Sequence, residues 1–257
     1  MYAGIDLGSR NVKVAILDDQ GQLKLHKFDT VSFYREHGHM EDGQLLVDLS
    51  ALGLGDIGWQ QIVSTGYGRQ TINLKGAKNI AEIKAHVTGA VYLTGKEDFT
   101  MLDLGGQDSK VALVRKGRMV DFETNDRCAA STGRYLENMA AVLDIDLAEL
   151  SKHYQHPVEL SSTCAIFGET ELIGKVVEGY SVAELAAGVN YTIFKRVKPM
   201  LLKLASPTIV FTGGVAQNQA LRQIVTQELN KEVLVPDNPQ YNGAIGCAVT
   251  AKKLALQ

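Results

Sequence analysis

The sequence predicts an α/β protein built from two related halves. Three observations carry that expectation: a glycine-centred hairpin pattern occurs twice, a late apolar strand runs into a double glycine, and helix-like segments lie between and after these strands. Composition agrees with it. The 257 residues are 45% hydrophobic and 21% charged with 25 glycines, ordinary values for a folded chain long enough to bury a substantial core.

Residues 2–17 read as two apolar runs around a polar turn, Gly8-Ser9-Arg10-Asn11, and predict a β-hairpin. The pattern returns over residues 100–114. Asp6, Leu7, Gly8, Lys13, Val14 and Ala15 recur at a constant offset of 97 as Asp103, Leu104, Gly105, Lys110, Val111 and Ala112. Either hairpin alone could be an ordinary Asp-Leu-Gly turn, but the repetition weighs against that. Glycines let backbone N–H groups approach a phosphate closely, and a carboxylate at a strand end can hold hydrated magnesium beside it. Asp6 and Asp103 are therefore the candidate catalytic carboxylates. Gly8, Ser9, Arg10, Asn11, Val12 and Lys13 are the candidate phosphate contacts of the first hairpin, and Gly105, Gly106 and Gln107 those of the second.

Residues 207–218 predict a buried strand that ends at Gly213-Gly214, with a helix from about Val215. Alone, this could be close packing of helix on sheet. Beside two phosphate hairpins it reads as an adenosine-binding turn.

The two hairpins followed by a late Gly-Gly turn are similar to the superfamily of actin, sugar kinases and heat-shock chaperone ATPases, over nearly the whole chain. The resemblance implies an actin-like ATPase fold, two related lobes with a nucleotide cleft. The first lobe is expected over residues 1–96, with a C-terminal helix of about 242–257 packing back on it, and the second over 97–241. Small residues in 242–254 suit a closely packed final helix, with Cys247 a small buried hydrophobe.

Cys128 and Cys164 each begin a Cys-Ala pair at or just before a helix-like segment. A helix N-terminus lowers a thiol's pKa and suits thiolate ligation. The two lie 36 positions apart with no C-x-x-C pair, so neither a compact zinc site nor a ferredoxin pattern is present. Two readings stand on the residues alone. Both cysteines are buried core, or a two-fold dimer donates both of them twice to complete a four-thiolate [4Fe–4S] centre.

Residues 102–110, 128–137 and 164–171 closely resemble signatures of the activator, or component A, of 2-hydroxyacyl-CoA dehydratases. That iron–sulfur ATPase family includes the ATPase subunits of benzoyl-CoA reductases. The resemblance implies a homodimer bridged by one [4Fe–4S] cluster on Cys128 and Cys164 of each subunit, with ATP/ADP and magnesium as the other ligands. It also implies a ferredoxin or flavodoxin as electron donor and a dehydratase-like acceptor. Arg10 and Asn11 stand where the family usually has small hydroxyl residues, and Gly168 and Thr170 where relatives often carry Ala and Ser.

A net charge of −3 without a basic block argues against nucleic acid and anionic membranes as partners. The first residues lack a signal-peptide pattern, no apolar run reaches the roughly 18 residues of a membrane span, and three cysteines make no disulfide framework, so a cytoplasmic protein is expected. Residues 35–42, with His37 and His39, read as a solvated loop, residues 64–69 as a turn with Arg69 near the cleft, and Glu82 with His86 as a partly exposed helical pair. A small-molecule kinase of the same superfamily or a nucleotide-switched binding module would share the hairpins. Neither accounts for two Cys-Ala helix starts.

Overall fold

The computed structural model describes residues 1–41, 44–47, 58–66, 72–125, 132–161 and 165–257. The chain divides into two compact units, Met1–Lys96 with Tyr241–Gln257, and Glu97–Gln240.

In the first unit, β1 (Tyr2–Leu7), β2 (Asn11–Leu17) and β3 (Leu23–Asp29) form an antiparallel meander. Helix α1 (Thr30–His37) follows, started by Asp29, whose carboxylate accepts from the Ser32 N–H at 3.0 Å. Strands β4 (Gly38–Glu41), β5 (Gln44–Val47), β6 (Gln61–Gly66), β7 (Ile72–Leu74) and β8 (Ala77–Asn79) then lead to helix α2 (Glu82–Thr94). The main sheet has the order β3-β2-β1-β6-β8, with β6 and β8 parallel to β1, and β4-β5-β7 make a smaller sheet. Residues 35–41 are thus helix end and strand rather than loop. The His37 ring packs against Phe28 and Phe33, which holds the helix where a polar reading of the segment places none.

The second unit repeats the plan. Strands β9 (Phe99–Leu104), β10 (Ser109–Arg115) and β11 (Arg118–Asn125) form the meander, followed by helices α3 (Gly133–Val142), α4 (Leu147–Leu150), α5 (Ala165–Val177) and α6 (Val182–Lys203). Then come β12 (Thr208–Thr212), a 3₁₀ turn over Gly214–Gln217, α7 (Gln219–Leu229) and β13 (Glu232–Leu234). The sheet order β11-β10-β9-β12-β13 carries the same pattern of antiparallel and parallel neighbours as the first sheet. The core lies between this sheet and α3, α6 and α7, with Tyr135, Met139, Phe194 and Phe211 fully buried.

The last helix, α8 (Asn242–Ala255), belongs to the first unit. Its Gly243, Ala244, Gly246, Cys247 and Ala248 are all buried. A side chain on Gly4 of β1 would strike the α8 backbone at Ala244 and Ala248, so the helix lies almost on the strand. Cys247 is a buried small residue, and burial, with Asp6 and Glu82 nearby, pushes its thiol well above the ordinary range.

Candidate functional site

Each unit ends its central strand in a buried carboxylate followed by a glycine turn. In the first, Asp6 is 4% exposed and faces Lys13 across the β1–β2 ladder, with Lys13 Nζ 3.7 Å from its Oδ2. The turn is held from behind by α1, because Thr30 Oγ1 donates to the Gly8 carbonyl at 2.8 Å and Thr30 N to that of Arg10 at 3.3 Å. Gly8, Ser9 and Asn11 are half-buried and Arg10 is exposed, whereas the Val12 side chain is wholly in the core. Val12 can therefore offer a ligand its backbone alone.

In the second unit, Asp103 is 2% exposed and faces Lys110 across β9–β10. Lys110 makes an ion pair with Asp108, which sits where the first hairpin has the uncharged Asn11. Gly105, Gly106 and Gln107 form the half-buried turn. Its carbonyls are used by the next helix: Gly133 N donates to Gly105 O at 2.9 Å and Arg134 N to Gly106 O at 3.2 Å. The first turn of α3 is thereby tied to the hairpin.

A second repeat emerges from the sheets. Thr65 of β6 stands beside Asp6, and Thr212 of β12 beside Asp103. The next residues, Gly66 and Gly213, have φ of 107° and 88° and lie against the backbones of Leu7 and Leu104, where a side chain has no room. The signal was available in the sequence as Ile62-Val63-Ser64-Thr65-Gly66 against Ile209-Val210-Phe211-Thr212-Gly213. Thr212 Oγ1 donates to Asp103 Oδ2 at 2.7 Å, but Thr65 Oγ1 donates to the Ile80 carbonyl at 3.0 Å. Beyond Gly213, Gly214 opens onto free space rather than a packed neighbour. The helix expected from about Val215 starts instead at Gln219. Asn218 caps it by accepting from Leu221 N at 3.0 Å, which leaves residues 214–217 as a tighter turn.

His86 is not the partly exposed helical residue that its spacing from Glu82 predicts. It is 6% exposed, its Nε2 lies 3.9 Å from Glu82 Oε1, and Asn242 of α8 donates to its carbonyl at 2.9 Å. A Cβ on Gly243 would come within 2.9 Å of His86 Nε2 and 3.0 Å of Asp6 Oδ2. The packing of α8 brings this histidine under the first carboxylate, a relation that no local pattern encodes.

Cys128, Cys164 and Arg69 lie outside the described residues. Among the described residues no group of three or more His, Cys, Asp or Glu could hold a metal ion, and no helix is long and apolar enough to cross a membrane. The helix after Cys164 begins at Ala165.

Two sheets of one topology, each ending its central strand in a buried aspartate before a glycine hairpin, define a two-lobed fold of the actin-like ATPase class. ParM of Bacillus thuringiensis, solved with ATP, shares that fold alone, at 11% identity and a TM-score of 0.56 over 100% of this chain and 99% of that one. Within the class the chain belongs to the BadF/BadG/BcrA/BcrD ATPase family, whose model matches residues 3–251. It is 35% identical to the 2-hydroxyisocaproyl-CoA dehydratase activator of Clostridioides difficile, covering 98% of this chain and 95% of that one. To the (R)-2-hydroxyglutaryl-CoA dehydratase activating ATPase of Acidaminococcus fermentans it is 33% identical, covering 99% and 98%. The activator structure from Clostridium difficile with bound ADPNP superposes with a TM-score of 0.84 at 31% identity, covering 100% of this chain and 96% of that one.

Proposed function

We propose that this chain is an ATP-dependent electron-transfer activator of a 2-hydroxyacyl-CoA dehydratase-type partner. In this reading ATP or ADP with magnesium is bound by Gly8, Ser9, Arg10, Asn11, Val12 and Lys13, by Gly105, Gly106 and Gln107, and by the turn at Gly213 and Gly214. Asp6 and Asp103 are the carboxylates that hold hydrated magnesium and orient water. The residues present fit such a ligand. Two buried carboxylates end their strands beside lysines, and Gly214 faces open space.

A [4Fe–4S] cluster shared by two copies of the chain, on Cys128 and Cys164 of each, is the redox group of the proposal. The donor set suits it: the remaining cysteine, Cys247, is locked in the core with a raised thiol pKa, so two cysteines per chain remain and a homodimer makes four. Such a cluster supplies one-electron chemistry when bound. Ile173, Val176 and Val177, exposed together on α5, support burial of that helix against another chain. A ferredoxin or flavodoxin is the proposed donor, and the protein is proposed to be cytoplasmic.

The observation that carries the reading is the pair of hydrogen bonds from the first turn of α3 to Gly105 and Gly106. A contact that shifts with the nucleotide's phosphates at this hairpin is passed to the helix that follows Cys128 in the sequence. ATP binding and hydrolysis can then bias one arrangement of that helix over another through differential contacts. The test is iron and acid-labile sulfide per dimer, with the visible spectrum, on protein purified without oxygen and then exposed to air. About four irons per dimer, with colour that bleaches in air, is expected. Colourless protein that resists anaerobic reconstitution but hydrolyses ATP would overturn the electron-transfer reading.

A further inference from the structure

The two lobes satisfy their central carboxylates differently. In the second, the Thr212 hydroxyl donates directly to Asp103 Oδ2 at 2.7 Å. In the first, the equivalent Thr65 hydroxyl is committed to the Ile80 carbonyl, and the Lys13 ammonium stands 3.7 Å from Asp6 Oδ2, beyond hydrogen-bonding distance. A carboxylate that is 4% exposed requires a donor. The polar group that α8 packing brings up to Oδ2 is the His86 imidazole. A Cβ built on Gly243 would lie 2.9 Å from its Nε2 and 3.0 Å from Asp6 Oδ2, so the two atoms are less than 6 Å apart, too far for a direct hydrogen bond but within reach of a relay through one ordered water.

The ring's orientation follows from its other side. Asn242 Nδ2 donates to the His86 carbonyl at 2.9 Å and stands 3.5 Å from His86 Nδ1. The tautomer protonated on Nε2 lets Nδ1 accept from that amide and directs the Nε2–H toward the acidic side, and it is the tautomer the proposal takes. Glu82, 3.9 Å from the same Nε2, provides the counterpart on α2.

We propose that His86 is a positioning residue for Asp6. Through one bridging water its Nε2–H holds the Oδ2 side of the carboxylate in the first lobe, where Thr212 in the second donates directly, and so fixes the anion that the first hairpin presents to magnesium and phosphate. The inference rests on the reading of Asp6 given under Proposed function and adds to it the residue that orients it.

The test is steady-state ATPase activity against magnesium concentration for the anaerobically purified full-length protein and its H86N, H86Q and D6N variants, with the cluster's visible spectrum and thermal midpoint recorded for each. A glutamine amide reaches the place of Nε2, whereas an asparagine amide reaches that of Nδ1. H86N is expected to lower kcat by about tenfold and raise the half-saturating magnesium concentration, as for loss of one hydrogen bond to a charged group. H86Q is expected to restore most of both, with the spectrum unchanged in either variant. If H86N and H86Q both match the wild type while D6N loses activity, the role of His86 is wrong and that of Asp6 stands. Equal losses in H86N and H86Q that follow their thermal midpoints, with no change in magnesium dependence, would make His86 a packing residue and also overturn it. Full activity in D6N would instead remove the reading of Asp6 itself.

Discussion

At the scale of single residues, the two buried aspartates are held by contacts that can be removed one at a time. Thr212→Val keeps the shape of the side chain and deletes the donor to Asp103, so it should cost about 1.5–3 kcal/mol of stability in urea unfolding and lower ATPase turnover. Gly243→Ala places a methyl group against both His86 Nε2 and Asp6 Oδ2. It should cost about 1–3 kcal/mol as an overpacking change, and a variant as stable as the parent would show that α8 can shift away from α2. On the proposed cluster ligation, Cys128→Ser and Cys164→Ser should each abolish iron binding and its visible absorption while nucleotide affinity, measured by calorimetry, stays within a few-fold of the parent. Loss of nucleotide binding with retained iron would refute that separation of roles.

At the scale of elements, the hairpins were legible because their signal is local: an apolar run, Asp-Leu-Gly, a polar turn and a second apolar run lie within one stretch of chain. The strand to Gly213 was legible for the same reason. Thr65-Gly66 looks like a bare turn in the sequence because its meaning depends on β6 pairing with β1, a contact between segments far apart in the chain. His86 carries no signal in the sequence because its surroundings come from α2, β1 and α8 together. Another long-range device sits where α4, α6 and α7 meet. Asn218 caps α7 and donates to Asn190 Oδ1 at 2.8 Å, while Asn190 Nδ2 donates to the carbonyls of Leu150 and His153 at 2.9 Å and 2.8 Å. Asn218→Ala removes the cap and leaves a buried amide oxygen short of a donor. It should lower stability by about 2–4 kcal/mol with little change in nucleotide affinity.

At the scale of the whole molecule, buried phenols make stability depend on pH on the alkaline side. The phenols of Tyr34, Tyr135 and Tyr191 are pushed up to about 12 from an ordinary 10, in each case first by burial. A folded-state pKa above the unfolded one means that the native chain keeps protons which the unfolded chain has lost. The phenols' contribution to stability is therefore fully present below about pH 10 and is lost as pH rises toward about 12. Thermal midpoints measured across that window should decline, and Tyr135→Phe should make the decline shallower. An unchanged slope would assign the alkaline loss to other groups. The discontinuity of the first unit has a further consequence, in time rather than space. During translation the strands of that unit are made before the second unit, yet the helix that covers β1 and α2 is made after it. The second unit is continuous and has all of its parts before α8 exists. The first unit is thus begun before the second and completed after it, and until α8 is made β1 lacks the helix that packs on Gly4 and Asp6 lacks Gly243 against its carboxylate.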